Sequence, residues 1–115
     1  MEQCIFCKIV EKEMSAEVVH ETENVVAFRD VAPVAPVHIL VIPKAHIPSI
    51  EDLDDNQRQT LLPEIFQVIH HLTKQENLGN KGFRIVNNYG KEGGQTVQHL
   101  HFHLLGGRFM QWPPG

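Results

Sequence analysis

Hydrophobic and polar residues recur along the chain with a spacing that changes from segment to segment, and each spacing predicts an element. Over Ile5–Val10, Ile5 pairs with Ile9 and Phe6 with Val10 at i, i+4, which predicts a short helix. Val18–Glu21 and residues 25–30 read as strands joined by a Thr22-Glu23-Asn24 turn. Residues 31–36 contain Pro33 and Pro36, which lack a backbone donor, and read as a loop. Residues 38–42 are a β-branched run that predicts a central strand stopping at Pro43. From 54 to 77, Leu62, Ile65, Phe66, Ile69 and Leu72 recur at helical spacing, with Leu78-Gly79 as the stop. Pro63 either kinks that helix or starts it afresh after a short turn. Residues 83–88 predict another strand, 89–95 a glycine-rich loop and 96–105 the last strand.

Mostly strands, hairpin-length connections and one long inserted helix predict an α+β fold with an antiparallel sheet. A chain of 115 residues and 13.1 kDa makes one domain, 1–115, with 109–115 as an irregular tail. Apolar residues are 42% and charged residues 21%, as in an ordinary soluble globule. The net charge of −4, without a basic run, argues against a duplex nucleic-acid binder, although single phosphates bind backbone N–H groups without net positive charge. No apolar run approaches membrane-spanning length. The first residues, Met1-Glu2-Gln3-Cys4, lack a signal-peptide pattern, so the expected location is cytoplasmic and reducing. Cys4 and Cys7 are too few for a disulfide scaffold.

The candidate chemistry sits at His99-Leu100-His101-Phe102-His103-Leu104. In a strand this alternation puts three imidazoles on one face, about 6.5–7 Å apart, and three apolar side chains on the core face. Three readings are open: a polar or hydrogen-bonded packing face, a metal site, and covalent catalysis by histidine. The third is preferred. Imidazole is a good nucleophile at neutral pH, phosphorus is its natural target, and neighbouring rings bind phosphate charge and move protons. The loop Gly90 to Gln95 lets backbone N–H groups approach phosphate oxygens closely.

With these residues in view, the chain resembles the histidine triad family, whose signature is His-x-His-x-His flanked by apolar residues. Phe28-Arg29-Asp30, Ala35-Pro36-Val37-His38, Val41-Ile42-Pro43-Lys44, Gly93-Gly94-Gln95 and Leu105-Gly106-Gly107-Arg108 are also similar to that family. The ending Gln111-Trp112-Pro113-Pro114-Gly115 is similar to its nucleotide-binding, purine phosphoramidase branch. The resemblance implies an antiparallel sheet of about five strands, a long helix, a short N-terminal helix and a homodimer. It implies an enzyme that hydrolyses the P–N bond of AMP- or GMP-amidates through a nucleotidyl-histidine. His101 matches the nucleophile, His103 the phosphate contact, and His38 and His99 the neighbouring histidines. Asp30 matches the ribose-binding carboxylate. Phe6, Ile9, Phe28, Val31 and Leu40 fall at base-pocket positions, and Asn88, Gly94, Gln95, Thr96 and Val97 at phosphate and leaving-group positions.

Each also has a plain packing or capping reading: Asp30 as a turn cap, the apolar set as core, His38 as a packed strand residue. Thr96 stands where the branch often carries serine, and Gln98 where it is often aromatic. A dinucleoside polyphosphate hydrolase and a non-enzymatic nucleotide-binding dimer are the alternatives; the tail leans against the first. Some family members bind structural zinc at positions occupied here by Cys4, Cys7, His46 and His99. One zinc per chain is therefore expected, with none needed for the chemistry; free thiols and a redox dithiol are the other readings of the Cys pair. His20, His70 and His71 carry no motif and read as surface or helix-face residues.

Overall fold

The computed structural model describes residues 4–115, so Met1, Glu2 and Gln3 of the expected 1–115 domain lie outside it. Five strands form one antiparallel sheet: β1 (Val18–Glu21), β2 (Val25–Arg29), β3 (Val37–Pro43), β4 (Phe83–Val86) and β5 (Phe102–Gly106). Their order is β1-β2-β3-β5-β4, so the last strand made lies between two earlier ones. Helix α1 (Ile5–Val10) precedes the sheet, and helix α2 (Asp55–Gln75) spans the connection from β3 to β4. The fold is α+β, as the pattern predicts.

Strand periodicity divides the sheet into two covered faces. Val25 and Ala27 of β2, Ile39 and Val41 of β3, and Phe102 and Leu104 of β5 pack with Ile65, Val68, Ile69 and Leu72 of α2. Val26, Phe28, Leu40 and Ile42 turn the other way and pack with Phe6 of α1. His103 pairs with Leu40 across the ladder. Partners directly opposite share a face, so His103 belongs to the α1 side.

Both helices end in the same way. In α2, Asn77 is left-handed at φ 59°, while Leu78 N–H reaches Thr73 and Asn77 N–H reaches Lys74. In α1, Lys12 at φ 63° plays that part, with Glu13 N–H on Lys8 and Lys12 N–H on Ile9. These are Schellman ends. The α2 stop therefore falls at Asn77, not at Leu78-Gly79. At its start Asp54 and Gln57 form a reciprocal capping box. Pro63 neither restarts nor ends α2, which runs through it. Pro63 and Gln59 are both exposed, so the carbonyl that the missing N–H leaves free is on the solvent side of the helix.

Two strands are shorter than the pattern predicts. The expected strand over 96–105 begins only at Phe102, and the one over 83–88 ends at Val86. Residues 87–101 bulge out as one loop held by amide side chains. Asn88 Nδ2 donates to Gly93 O at 2.7 Å, Gly90 N–H donates to Gln95 Oε1 at 3.1 Å, and Gln95 Nε2 donates to Pro48 O at 2.8 Å. Glycines bend this loop away from the ladder, with Gly90 at φ 71° and Gly94 at φ 78°.

Candidate active site

The three triad histidines face the α1 side of the sheet, but only His103 is a strand residue. His99 and His101 stand on the loop that leads into β5, and both are buried. Leu100, Phe102 and Leu104 face the α2 core, so the predicted alternation survives although the ladder does not. Phe6 lies edge-on to His99 and His101, with ring centroids 5.9 and 5.2 Å away. The rings of His101 and His103 are 5.1 Å apart.

Main-chain groups decide where the ring protons sit. His101 Nδ1 lies 2.7 Å from the His99 carbonyl. A carbonyl only accepts, so Nδ1 carries the proton and Nε2 keeps its lone pair. Val34 N–H donates to His38 Nδ1 at 3.1 Å, which puts the His38 proton on Nε2. That Nε2–H meets His103 Nδ1 at 2.9 Å and Asp30 Oδ2 at 3.4 Å. His103 Nδ1 thus accepts, and its own proton sits on Nε2. Burial, reinforced by the His101 and His38 rings, pushes the His103 pKa down to about 4. His38 is also lowered, chiefly by burial, against the pull of Asp30. The site accordingly offers one ring with a free lone pair beside an uncharged ring with an N–H.

Asp30 follows the end of β2. Its Oδ1 accepts from Ala32 N–H at 2.8 Å, the turn-capping bond, while Oδ2 faces His38. Phe6, Phe28 and Leu40 are buried together, Ile9 and Val97 are half-buried against them, and Val31 is 96% exposed at the edge. Thr96 and Gly94 are exposed on the loop. The Asn88 side chain is bonded within the loop itself, and the Gln95 amide is shared between the loop, at Val97 O, and Pro48 O outside it.

A second cluster lies beneath the first. Cys4 Sγ, Cys7 Sγ, His46 Nδ1 and His99 Nδ1 all lie within 4.8 Å of one another. Cys4 caps α1, accepting from Cys7 N–H at 3.3 Å, which draws the two sulfurs together. His99 Nε2 lies 2.9 Å from Pro43 O, so it donates there and leaves Nδ1 unprotonated toward the sulfurs. Burial and the adjacent Cys4 sulfur push the Cys7 thiol up to about 11. Two sulfurs and two ring nitrogens at this spacing fit a tetrahedral cation of zinc's size and softness.

Two features escape the pattern. Asn87 Nδ2 donates to the His101 carbonyl at 2.8 Å, and an asparagine at the mouth of a polar loop carries no signal of that. His20 of β1 and His71 of α2, which the sequence places on the surface or a helix face without a motif, stack with centroids 4.0 Å apart. Only short-range spacings are visible along a sequence, and this pair is long-range.

A small α+β domain with a histidine cluster on one sheet face is a recognisable class of protein, and comparison with known proteins narrows it. The HIT domain family model matches residues 11–110. An uncharacterized HIT-like protein of Synechococcus elongatus is 49% identical over 114 residues, covering 99% of this chain and 98% of its own. The crystal structure of a HIT family hydrolase from Legionella pneumophila superposes with a TM-score of 0.94 at 49% identity, covering 98% of this chain and 100% of that one. A histidine triad nucleotide-binding protein from Candida albicans superposes with a TM-score of 0.78 at 34% identity, covering 89% and 73%. The chain belongs to the HIT, or histidine triad, family. Among the described residues no helix is long and apolar enough to cross a membrane.

Proposed function

We propose that this protein is a nucleotide hydrolase that cleaves the P–N bond of purine nucleoside phosphoramidates. The observation that carries the reading is the pair of proton positions: a lone pair on His101 Nε2 beside an N–H on His103 Nε2. His101 Nε2 attacks the α-phosphorus, a P–N bond to the ring forms, and the substrate P–N bond breaks. The departing amine takes up one proton. Water then attacks the nucleotidyl-histidine, releases the nucleoside monophosphate and gives one proton back, so the sum is hydrolysis. The His99 carbonyl backs the Nδ1–H while positive charge builds on the ring. His103 donates to a phosphate oxygen. Asp30 accepts from ribose hydroxyls, and Ile9 and Val31 flank the base.

We further propose one structural zinc per chain, on Cys4, Cys7, His46 and His99. Such an ion supplies folding energy by tying α1 to the end of β3 and to the loop before β5, and it takes no part in the reaction. A homodimer is supported by β4, an edge strand with Phe83 and Ile85 exposed, and by exposed Phe66, Tyr89 and Trp112.

The test is release of AMP from an adenosine phosphoramidate, with capture of labelled nucleotide on histidine. Turnover and capture in the wild type, with both lost in His101→Ala, are expected. A folded wild-type protein that releases no AMP overturns the reading.

A further inference from the structure

His101 lies one residue outside the sheet. The last ladder pair between β4 and β5 joins Val86 to His103, so the backbone of His101 has no β4 partner. Its carbonyl is bonded nonetheless, by the Asn87 side-chain amide at 2.8 Å. On the other side of the residue, Leu100 N–H donates to Ile47 O at 2.7 Å. The ring bond from His101 Nδ1 to the His99 carbonyl spans two residues of this same backbone. It keeps its length only while the peptide planes on either side of His101 hold their orientation.

We propose that Asn87 is a positioning residue for His101: its amide replaces the missing ladder bond and holds the main chain where Nδ1 reaches the His99 carbonyl. This rests on reading His101 as the nucleophile. Asn87 bonds to main chain and to none of the histidine rings, so it acts through His101. Its neighbour Asn88 bonds instead to Gly93 O, within the glycine loop. The two adjacent amides divide the work, one holding the loop and the other the nucleophile. The residue type follows from reach and polarity. A carbonyl needs a donor; an aspartate would set an anion against it, and an alanine would leave it unpaired in a half-buried setting.

The experiment compares wild type, Asn87→Ala and Asn87→Asp. Ring-nitrogen NMR of His101 in the protein alone is recorded together with kcat and KM for an adenosine phosphoramidate and thermal melting. The wild type should show a single Nδ1–H tautomer. Both variants should show a mixture of tautomers, with kcat lower by about ten- to a hundredfold and KM within about threefold, because small misplacement of a reacting group acts mainly on the chemical step. Melting should stay within a few degrees. A single Nδ1–H tautomer retained in the variants overturns the proposal, whether or not kcat falls. If Asn87→Ala does not fold, Asn87→Asp, which keeps the shape and removes the donor geometry, decides. Absence of AMP release from the wild type would sink the phosphoramidase reading alone, since the tautomer measurement needs no substrate.

Discussion

An imidazole becomes a nucleophile, a donor or a metal ligand according to which nitrogen holds the proton, and here the main chain makes that choice at three rings. The carbonyls of His99 and Pro43 accept from His101 Nδ1–H and His99 Nε2–H, and Val34 N–H blocks Nδ1 of His38. Among the described residues, the His38–His103 bond is the one link in which one ring sets another. His38→Phe keeps a flat ring and removes the donor, so His103 is free to move its proton to Nδ1. The expected result is a kcat lower by about ten- to a hundredfold with His101 still labelled, read by steady-state and single-turnover kinetics. Unchanged kcat would place His38 among the packing residues. Much of this was legible beforehand: strict alternation put three rings on one side and three apolar residues on the other. The proton positions were not, because they depend on carbonyls brought in from 43 and from the backbone of 99, whose direction no side-chain pattern encodes.

At the scale of elements, charged side chains and the cysteine–histidine cluster tie strands to helices. Arg29 at the end of β2 grips Glu76, just past α2, with two bonds of 3.0 and 3.1 Å. The Glu76 side chain is only 13% exposed, so the pair is partly shielded from solvent. Glu76→Ala should cost about 1–3 kcal/mol in urea unfolding, in the range for hydrogen bonds between charged groups. A loss below a few tenths of a kcal/mol would mean that Glu17, the other partner of Arg29, carries the contact. Helix α1 is only six residues long and depends on its attachments. Purified protein should contain about one zinc per chain by metal analysis; Cys7→Ser should lose it and melt several degrees lower. Metal-free wild type with an unchanged melting point would leave the cluster as thiols and imidazoles only. Helix α2, β1 and β3 were legible to within a residue or two, because long periodic runs and proline stops are strong local signals. The starts and stops around 87–101 were not. There the apolar alternation continues past the point where the hydrogen-bond ladder ends, and side-chain pattern cannot register a lost ladder.

For the whole molecule, pH and assembly give two tests. His103 and His38 have folded pKa values below the ordinary imidazole range, with His103 at about 4. Between about pH 6.5 and 4 the unfolded chain therefore binds more protons than the folded one, and stability rises with pH. Their contribution is complete above about 6.5 and is lost as pH falls toward 4. The melting temperature should drop by about 5 °C or more from pH 7 to pH 5, measured by calorimetry in matched buffers; a flat profile would contradict neutral, buried rings. In sedimentation, wild type should run as a dimer and Ile85→Lys, a charge on the open β4 edge, as a monomer. A dimeric variant would move the interface elsewhere. The strand order has one more consequence, which concerns synthesis. Strand β5 is the last to leave the ribosome, yet it joins β3 to β4, and Cys4 waits for a partner 95 residues downstream. A growing chain can pair β1, β2 and β3 and coil α2, but until residue 106 emerges β3 keeps a bare edge and β4 has no sheet to join. Chains cut short before that point lack a strand from the middle of their sheet and the bonds that strand makes to both of its neighbours.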